Sequence, residues 1–120
     1  MENSGGIQAS LSGRYATALF ELAREKGTID KVESSLATVK QALADSSDFA
    51  ALTSSPLIGR NDATKAVAAA AKAMQLDSLT ADFLGVLAQN RRLAALSGIV
   101  RDFRTLAARH RGETSAEVVS

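Results

Sequence analysis

The sequence predicts an all-α protein, a six-helix bundle, and three observations carry that expectation. Alanine and leucine dominate a chain of 120 residues that is 46% hydrophobic but only 4% aromatic, and both residues lose little side-chain freedom in a helix. Apolar residues recur at spacings of three and four, the helical period, rather than two. Short clusters of Gly, Ser, Asn, Asp and the single proline, Pro56, punctuate these stretches, and no window reads as a β-hairpin.

Taken in order, residues 1–9, with Gly5–Gly6, read as a disordered leader. They lack the basic n-region and apolar h-region of a secretory signal. Ser10 or Ser12 can cap a first helix from about Leu11 to Lys26, and Gly27 supplies the left-handed residue that ends it. Thr28 or Asp30 opens a second helix, with Ile29, Val32, Leu36, Val39 and Leu43 along one face. Asp45–Ser46–Ser47–Asp48 interrupts that pattern. A short third helix, Phe49 to Leu52, ends ahead of Pro56, which disfavours helical backbone at Ser55. Asn61 or Asp62 caps an alanine-rich fourth helix, Ala63 to Met74. Asp77 or Ser78 caps a fifth that reaches about Asn90. A sixth runs from Leu93 to His110 and stops near Gly112. Residues 10–112 therefore make one six-helix domain. Over residues 113–120 the β-branched Thr114, Val118 and Val119 replace helical patterning. That stretch reads as the start of a strand and the beginning of a truncated further domain.

Several function classes lose support from composition. With 14 basic and 13 acidic residues the net charge is +1, which points to neither nucleic acid nor a membrane surface. The chain has no cysteine, so disulfides and thiolate metal sites are excluded. No apolar run approaches the roughly 20 residues that span a bilayer, so no direct membrane insertion is expected. No phosphate-loop, dinucleotide, zinc-protease or nucleophile-elbow motif occurs. His110, the only histidine, lies near the end of a basic helix, where a metal or catalytic role has little support. Glu21 and Glu25 share a polar face with Arg24 and Lys26 and read as surface ion pairs. Neither catalysis nor a cofactor is indicated.

Arg91–Arg92, with Arg101, Arg104, Arg109, His110 and Arg111, forms the one basic stretch. It could grip phosphates, or simply complement helix C-termini and face water. Asp102 and Glu113 dilute it and no aromatic residues interleave for base stacking, so nucleic acid is not the expected partner.

Two helices carry more apolar surface than one core requires. At 100° per residue Leu11, Tyr15, Ala18 and Leu22 fall within roughly 60° of one another on the first helix. Ala16, Phe20 and Ala23 form a second stripe about 140° away, with Leu19 between, giving an apolar sector of about 200°. Gly13, Arg14, Thr17, Glu21, Arg24 and Glu25 occupy most of the rest. The fifth helix repeats the geometry. Leu79, Phe83, Val86 and Asn90 form one stripe, Leu84, Leu87 and Ala88 the other, while Asp82, Gly85 and Gln89 face water. Either both helices are central and bury everything, or they lie side by side and their outer stripes form a groove for an amphipathic helix. An adaptor for some other amphipathic helix fits the same pattern.

Four segments, in order, resemble the delta subunit family of F-type ATP synthase, whose mitochondrial relative is the oligomycin-sensitivity-conferring protein. Arg14-Tyr15-Ala16-x-Ala18-Leu19-Phe20-Glu21-Leu22-Ala23 is similar to its opening signature. Leu52-x-x-x-Pro56 followed by Lys65 resembles its loop between the third and fourth helices. Phe83-Leu84-x-Val86-Leu87-Ala88-x-Asn90-x-Arg92-Leu93-x-x-Leu96 resembles its strongest internal motif, with Arg91 where Gly or another polar residue is often seen. Thr114-x-Ala116-Glu117-Val118 resembles the strand that leads into its second domain.

The resemblance implies a six-helix N-terminal domain of a stator subunit, not itself an enzyme, that works during proton-driven ATP synthesis. It implies binding of N-terminal helical segments of the alpha subunits through the first and fifth helices. By that resemblance Tyr15, Ala18 and Leu22 line one wall of a groove, and Phe83, Val86 and Asn90 the other. It also implies that the peripheral stalk b subunits are engaged through the second domain, missing here apart from its first residues. The location implied is peripheral, on the cytoplasmic face of the bacterial inner membrane.

Overall fold

A computed structural model of the chain describes residues 10–119, with side-chain surroundings described through residue 112. The leader expected over residues 1–9 lies outside the described residues. The architecture is an all-α bundle of six helices: α1 (Leu11–Lys26), α2 (Ile29–Asp45), α3 (Ser47–Ser54), α4 (Arg60–Ala73), α5 (Ser78–Gln89) and α6 (Leu96–Val119), with a 3₁₀ turn, Leu93–Ala95, leading into α6.

The helix ends follow from side-chain and backbone hydrogen bonds. Ser10 Oγ accepts the Gly13 N–H at 2.9 Å and starts α1. Gly27 ends it at φ +68°, with the Thr28 N–H bonded to Ala23 O at 2.8 Å and the Gly27 N–H to Arg24 O at 3.1 Å. This paired pattern requires a left-handed residue, which glycine adopts without a Cβ penalty. Thr28 holds the cap position of α2, but its hydroxyl makes no cap bond.

Several boundaries differ from the sequence expectation, including the last helix, which begins at Leu96 after the 3₁₀ turn rather than at Leu93. Ser46 Oγ caps α3 by accepting the Phe49 N–H at 3.1 Å, so α3 is longer at both ends than Phe49–Leu52. Helix α4 begins at Arg60, with Gly59 in the cap position. Asn61 and Asp62 thus lie in its first turn, where the Asp62 charge faces the positive end of the helix dipole.

The strand expected over residues 113–120 is corrected: α6 continues through Gly112 to Val119. A strand must hand its N–H and C=O groups to a neighbouring strand, and there is none among the described residues. Continuing the helical ladder satisfies those groups locally, and a glycine inside it costs only about 1 kcal/mol.

The most extensive packings are α1 against α6 and α4 against α5, with α2 joining α6 and α3. Leu19, Leu36, Leu84, Leu87, Ile99 and Phe103 are fully buried at the centre. Phe20 meets Phe103 edge to face with centroids 5.7 Å apart. At Gly98 a Cβ would sit 3.1 Å from both Cβ and Oγ of Ser12, so this glycine lets α1 approach α6 closely.

Beside that approach lies a buried carboxylate. Asp102 is only 6% exposed, and its Oδ2 accepts from Ser12 Oγ at 2.9 Å while Oδ1 accepts from Arg101 Nε at 3.2 Å. Asp102→Ala is expected to destabilise the fold by about 1.5–3 kcal/mol, the range for losing a charged hydrogen bond. Urea unfolding measures this directly, and an unchanged midpoint would show that Asp102 does not pin α1 to α6.

Candidate functional site

The two helices with wide apolar arcs lie with their outer stripes at the surface. On α1 the inner residues Ala16, Leu19, Phe20 and Ala23 are buried, whereas Leu11 is 42% and Leu22 43% exposed. Ala18 between them is exposed and Tyr15 half-buried. On α5, Leu84, Leu87 and Ala88 are buried while Val86 is 47% exposed. Asn90 is also exposed and Leu79 half-buried.

The stripes converge at one end. Asn90 Nδ2 donates to the Tyr15 hydroxyl at 3.1 Å, and the Tyr15 and Phe83 rings meet edge to face with centroids 6.1 Å apart. Phe83, nearly buried, forms the floor beneath that bond. Of the six predicted contact residues the structure brings together Tyr15, Phe83 and Asn90, while Ala18, Leu22 and Val86 are exposed on their own helices. Leu11 extends the α1 wall by a further turn.

The polar arc of α1 is narrower than the sequence suggests. Gly13, expected to face water, is buried and Thr17 half-buried. The buried arc extends past Phe20 to Gly13, which lies only about 20° further around the helix. Arg14, Glu21, Arg24 and Glu25 remain exposed as expected.

Each end of α5 is fixed by a device that periodicity does not reveal. At its start, Asp77 accepts the Thr80 N–H at 3.2 Å and the Thr80 hydroxyl at 2.6 Å. Ser35 Oγ on α2 donates to Asp77 Oδ1 at 2.6 Å and accepts the Asp77 N–H at 3.1 Å, tying the α5 wall to α2. Burial alone would raise the Asp77 pKa, but the hydrogen bonds from Ser35 and Thr80 outweigh it and hold the carboxyl below its ordinary value of 3.8.

A depressed pKa stabilises the fold above the ordinary carboxylate range, and that contribution is lost as pH falls through the folded value. Asp77→Ala is expected to cost about 1–2 kcal/mol near neutrality through the lost cap and inter-helix bond. Its gap from the parent chain in urea midpoint should narrow on acidification below pH 3.8. A gap that stays constant with pH would refute the role of the ionised carboxylate.

At its other end α5 terminates on Arg91, a non-glycine residue at φ +56°. The Arg92 N–H reaches Leu87 O at 2.8 Å and the Arg91 N–H reaches Ala88 O at 3.1 Å, the same paired bonding that closes α1. Gln75, at φ +57°, closes α4 likewise. A sequence reading looks for Gly or Asn at such positions, so neither was visible in advance. The one signal was a polar residue directly following an apolar helical stretch.

Three of the basic residues are engaged within the chain. Arg91 Nη2 reaches toward Pro56 O at 3.4 Å, Arg101 pairs with Asp102 at 3.2 Å, and Arg111 pairs with Asp30 at 3.0 Å and with Glu33. Bonds to Glu33 and Asp30 raise the Arg111 pKa further above its ordinary value. His110 sits edge-on against Phe20 with centroids 5.7 Å apart. Among the described residues, no group of three or more His, Cys, Asp or Glu is placed to hold a metal ion. None of their helices is long and apolar enough to cross a membrane.

Comparison with known proteins gives a consistent result. Residues 11–120 match the family model described as ATP synthase delta (OSCP) subunit. The ATP synthase subunit delta of Rhizorhabdus wittichii is 64% identical over 120 residues, covering 100% of this chain and 65% of that protein. That of Erythrobacter litoralis is 52% identical over 120 residues, covering 100% and 65%. That of Mesorhizobium japonicum is 44% identical over 120 residues, covering 100% and 64%. The chain thus spans just under two thirds of the length of these curated relatives.

Proposed function

We propose, because the chain belongs to the ATP synthase delta (OSCP) subunit family, that its α1/α5 surface receives the amphipathic N-terminal helical segment of an alpha subunit. Its part in the complex is mechanical rather than catalytic. By holding the catalytic head it acts as a stator component, so that the head does not turn with the rotor during proton-driven ATP synthesis. The link to the peripheral stalk b subunits is assigned to the remaining third of the full-length relatives. The location proposed is peripheral, on the cytoplasmic face of the bacterial inner membrane.

The single observation that carries this reading is the pair of outward apolar stripes joined by the Asn90–Tyr15 bond. Leu11, Leu22 and Val86 remain 42%, 43% and 47% exposed, although the same helices already bury complete inner stripes. Helix-in-groove binding uses such surfaces, with anchors from the incoming helix one turn apart. Each apolar side chain that becomes fully desolvated contributes roughly 1.5–3 kcal/mol. Ordering the incoming segment offsets part of that sum.

The test is an NMR titration of the chain with the N-terminal peptide of the matching alpha subunit. Shifts concentrated at Tyr15–Leu22 and Phe83–Asn90 are expected. An absence of shifts at high peptide concentration, or shifts confined to other helices, would overturn the assignment. Binding should also depend weakly on salt, since a steep dependence signals phosphate-type contacts.

A further inference from the structure

A second depression lies on different helices. Between α2 and α6 lie two cavities of about 670 Å³ and 620 Å³. Both are lined by Glu33, Lys40, Ala44 and Arg104, so they form one continuous trough. From Glu33 to Ala44 it follows α2 for about 16 Å, three helical turns. None of its lining residues belongs to the α1/α5 stripes.

The trough is lined by small apolar side chains together with the polar Ser34, Gln41, Ser97 and Thr105. Val100 is buried, Leu43 half-buried, and Ala37, Ala44 and Ala108 are exposed. Small residues in these positions let the ridge of another helix settle between α2 and α6 at ordinary interaxial distances of about 8–10 Å.

Its charge divides along its length. At one end Glu33 and Asp30 are already paired with Arg111. Arg101 is 73% exposed at the side chain and reaches only the buried Asp102. Lys40 and Arg104, which flank the floor, make no ion pair or hydrogen bond among the described residues. Two unpaired cations flanking an apolar floor complement an apolar helix face bordered by carboxylates.

We propose that the α2/α6 trough docks an acidic amphipathic helix of another subunit of the complex, its carboxylates pairing with Lys40 and Arg104. This rests on the chain's place in the ATP synthase complex but not on the α1/α5 assignment.

The chain has no cysteine, so single reporters can be placed in it. Ala44→Cys and Ala108→Cys in the trough, and Ala18→Cys on α1, would be labelled with a maleimide in the free chain and in the assembled complex. Assembly is expected to slow labelling at Ala44→Cys and Ala108→Cys by about tenfold, as nine-tenths occupancy requires. A photo-crosslinker at position 44 should capture a helical segment bordered by Asp or Glu. Lys40→Glu with Arg104→Glu should abolish that protection and leave it intact at position 18. The neutral pair Lys40→Gln with Arg104→Gln should weaken it part-way. Circular dichroism checks that both pairs fold.

Unchanged labelling on assembly would overturn the proposal, as would protection indifferent to charge reversal. Capture of lipid, or of a segment without acidic residues, would do the same. Loss of protection at position 18 alone would instead count against the α1/α5 reading, so the two failures are distinguishable.

Discussion

Ala18→Asp abolishes binding of the alpha-subunit segment, on the proposed geometry, while leaving the helix content unchanged. Ala18 is exposed and sits between Leu11 and Leu22, which are 42% and 43% exposed. In the free chain the new carboxylate faces water, and the cost is the helix propensity of Asp, about 0.7 kcal/mol or less. Once an apolar helix covers the stripe, the same carboxylate is desolvated without a partner. Burying an unpaired polar group costs at least about 2 kcal/mol, and a charge considerably more. Affinity should therefore fall by a hundredfold or more, since about 1.4 kcal/mol is tenfold. Calorimetric titration with the alpha peptide, alongside circular dichroism, decides the matter. Native dichroism with unchanged affinity would show that the stripe faces nothing.

The largest effect on stability is expected at Phe103. It is fully buried at the α1–α6 contact and meets Phe20 edge to face at 5.7 Å. Phe103→Ala removes the ring and leaves a cavity that surrounding helices fill only in part, a change that typically costs about 3–5 kcal/mol. Against a total stability of about 5–15 kcal/mol for an ordinary domain, that is a large fraction. Chemical denaturation should show a clearly lower midpoint, and a loss under about 1 kcal/mol would contradict close packing at this site. Peptide affinity should weaken as well, because Phe20 lies on the inner face of the helix whose outer face carries Tyr15, Ala18 and Leu22.

What the sequence revealed and what it hid divide along a physical line. Local chemistry was legible. Ser10, Gly27 and Asp77 declared their caps because a short side-chain oxygen or a missing Cβ acts within a few residues of itself. The inward and outward stripes of α1 and α5 were legible too, since a fixed rotation per residue decides which side chains share a face. Contacts between distant segments were not. Asp102 read as a diluting charge in a basic run, yet it is buried and bonded to Ser12, 90 positions away. Ser35 gave no sign of its bond to Asp77, 42 positions on. Periodicity says how far around a helix a residue lies, but not which helix stands opposite. The left-handed Arg91 and Gln75 were hidden for another reason. Their conformation is unfavourable by roughly 1–2 kcal/mol for a residue with a Cβ, and only the bonds that close the helix ends hold it.

The pairing of α1 with α6 also sets an order of events during synthesis. Helices α4 and α5 are joined by a short connection and can associate as soon as both exist, at little cost in loop closure. Helix α1 meets α2 across the two-residue Gly27–Thr28 connection, but its most extensive packing is against α6. Its inner stripe, Ala16 to Ala23, waits for Phe103, about 80 residues later, which at ribosomal speeds is roughly 4–16 s. Until then the side of Phe20 that meets Phe103 has no partner. One wall of the α1/α5 surface cannot be rigid until the last helix is made. On the proposed function, a partially synthesised chain lacks a complete α1/α5 surface for an alpha subunit.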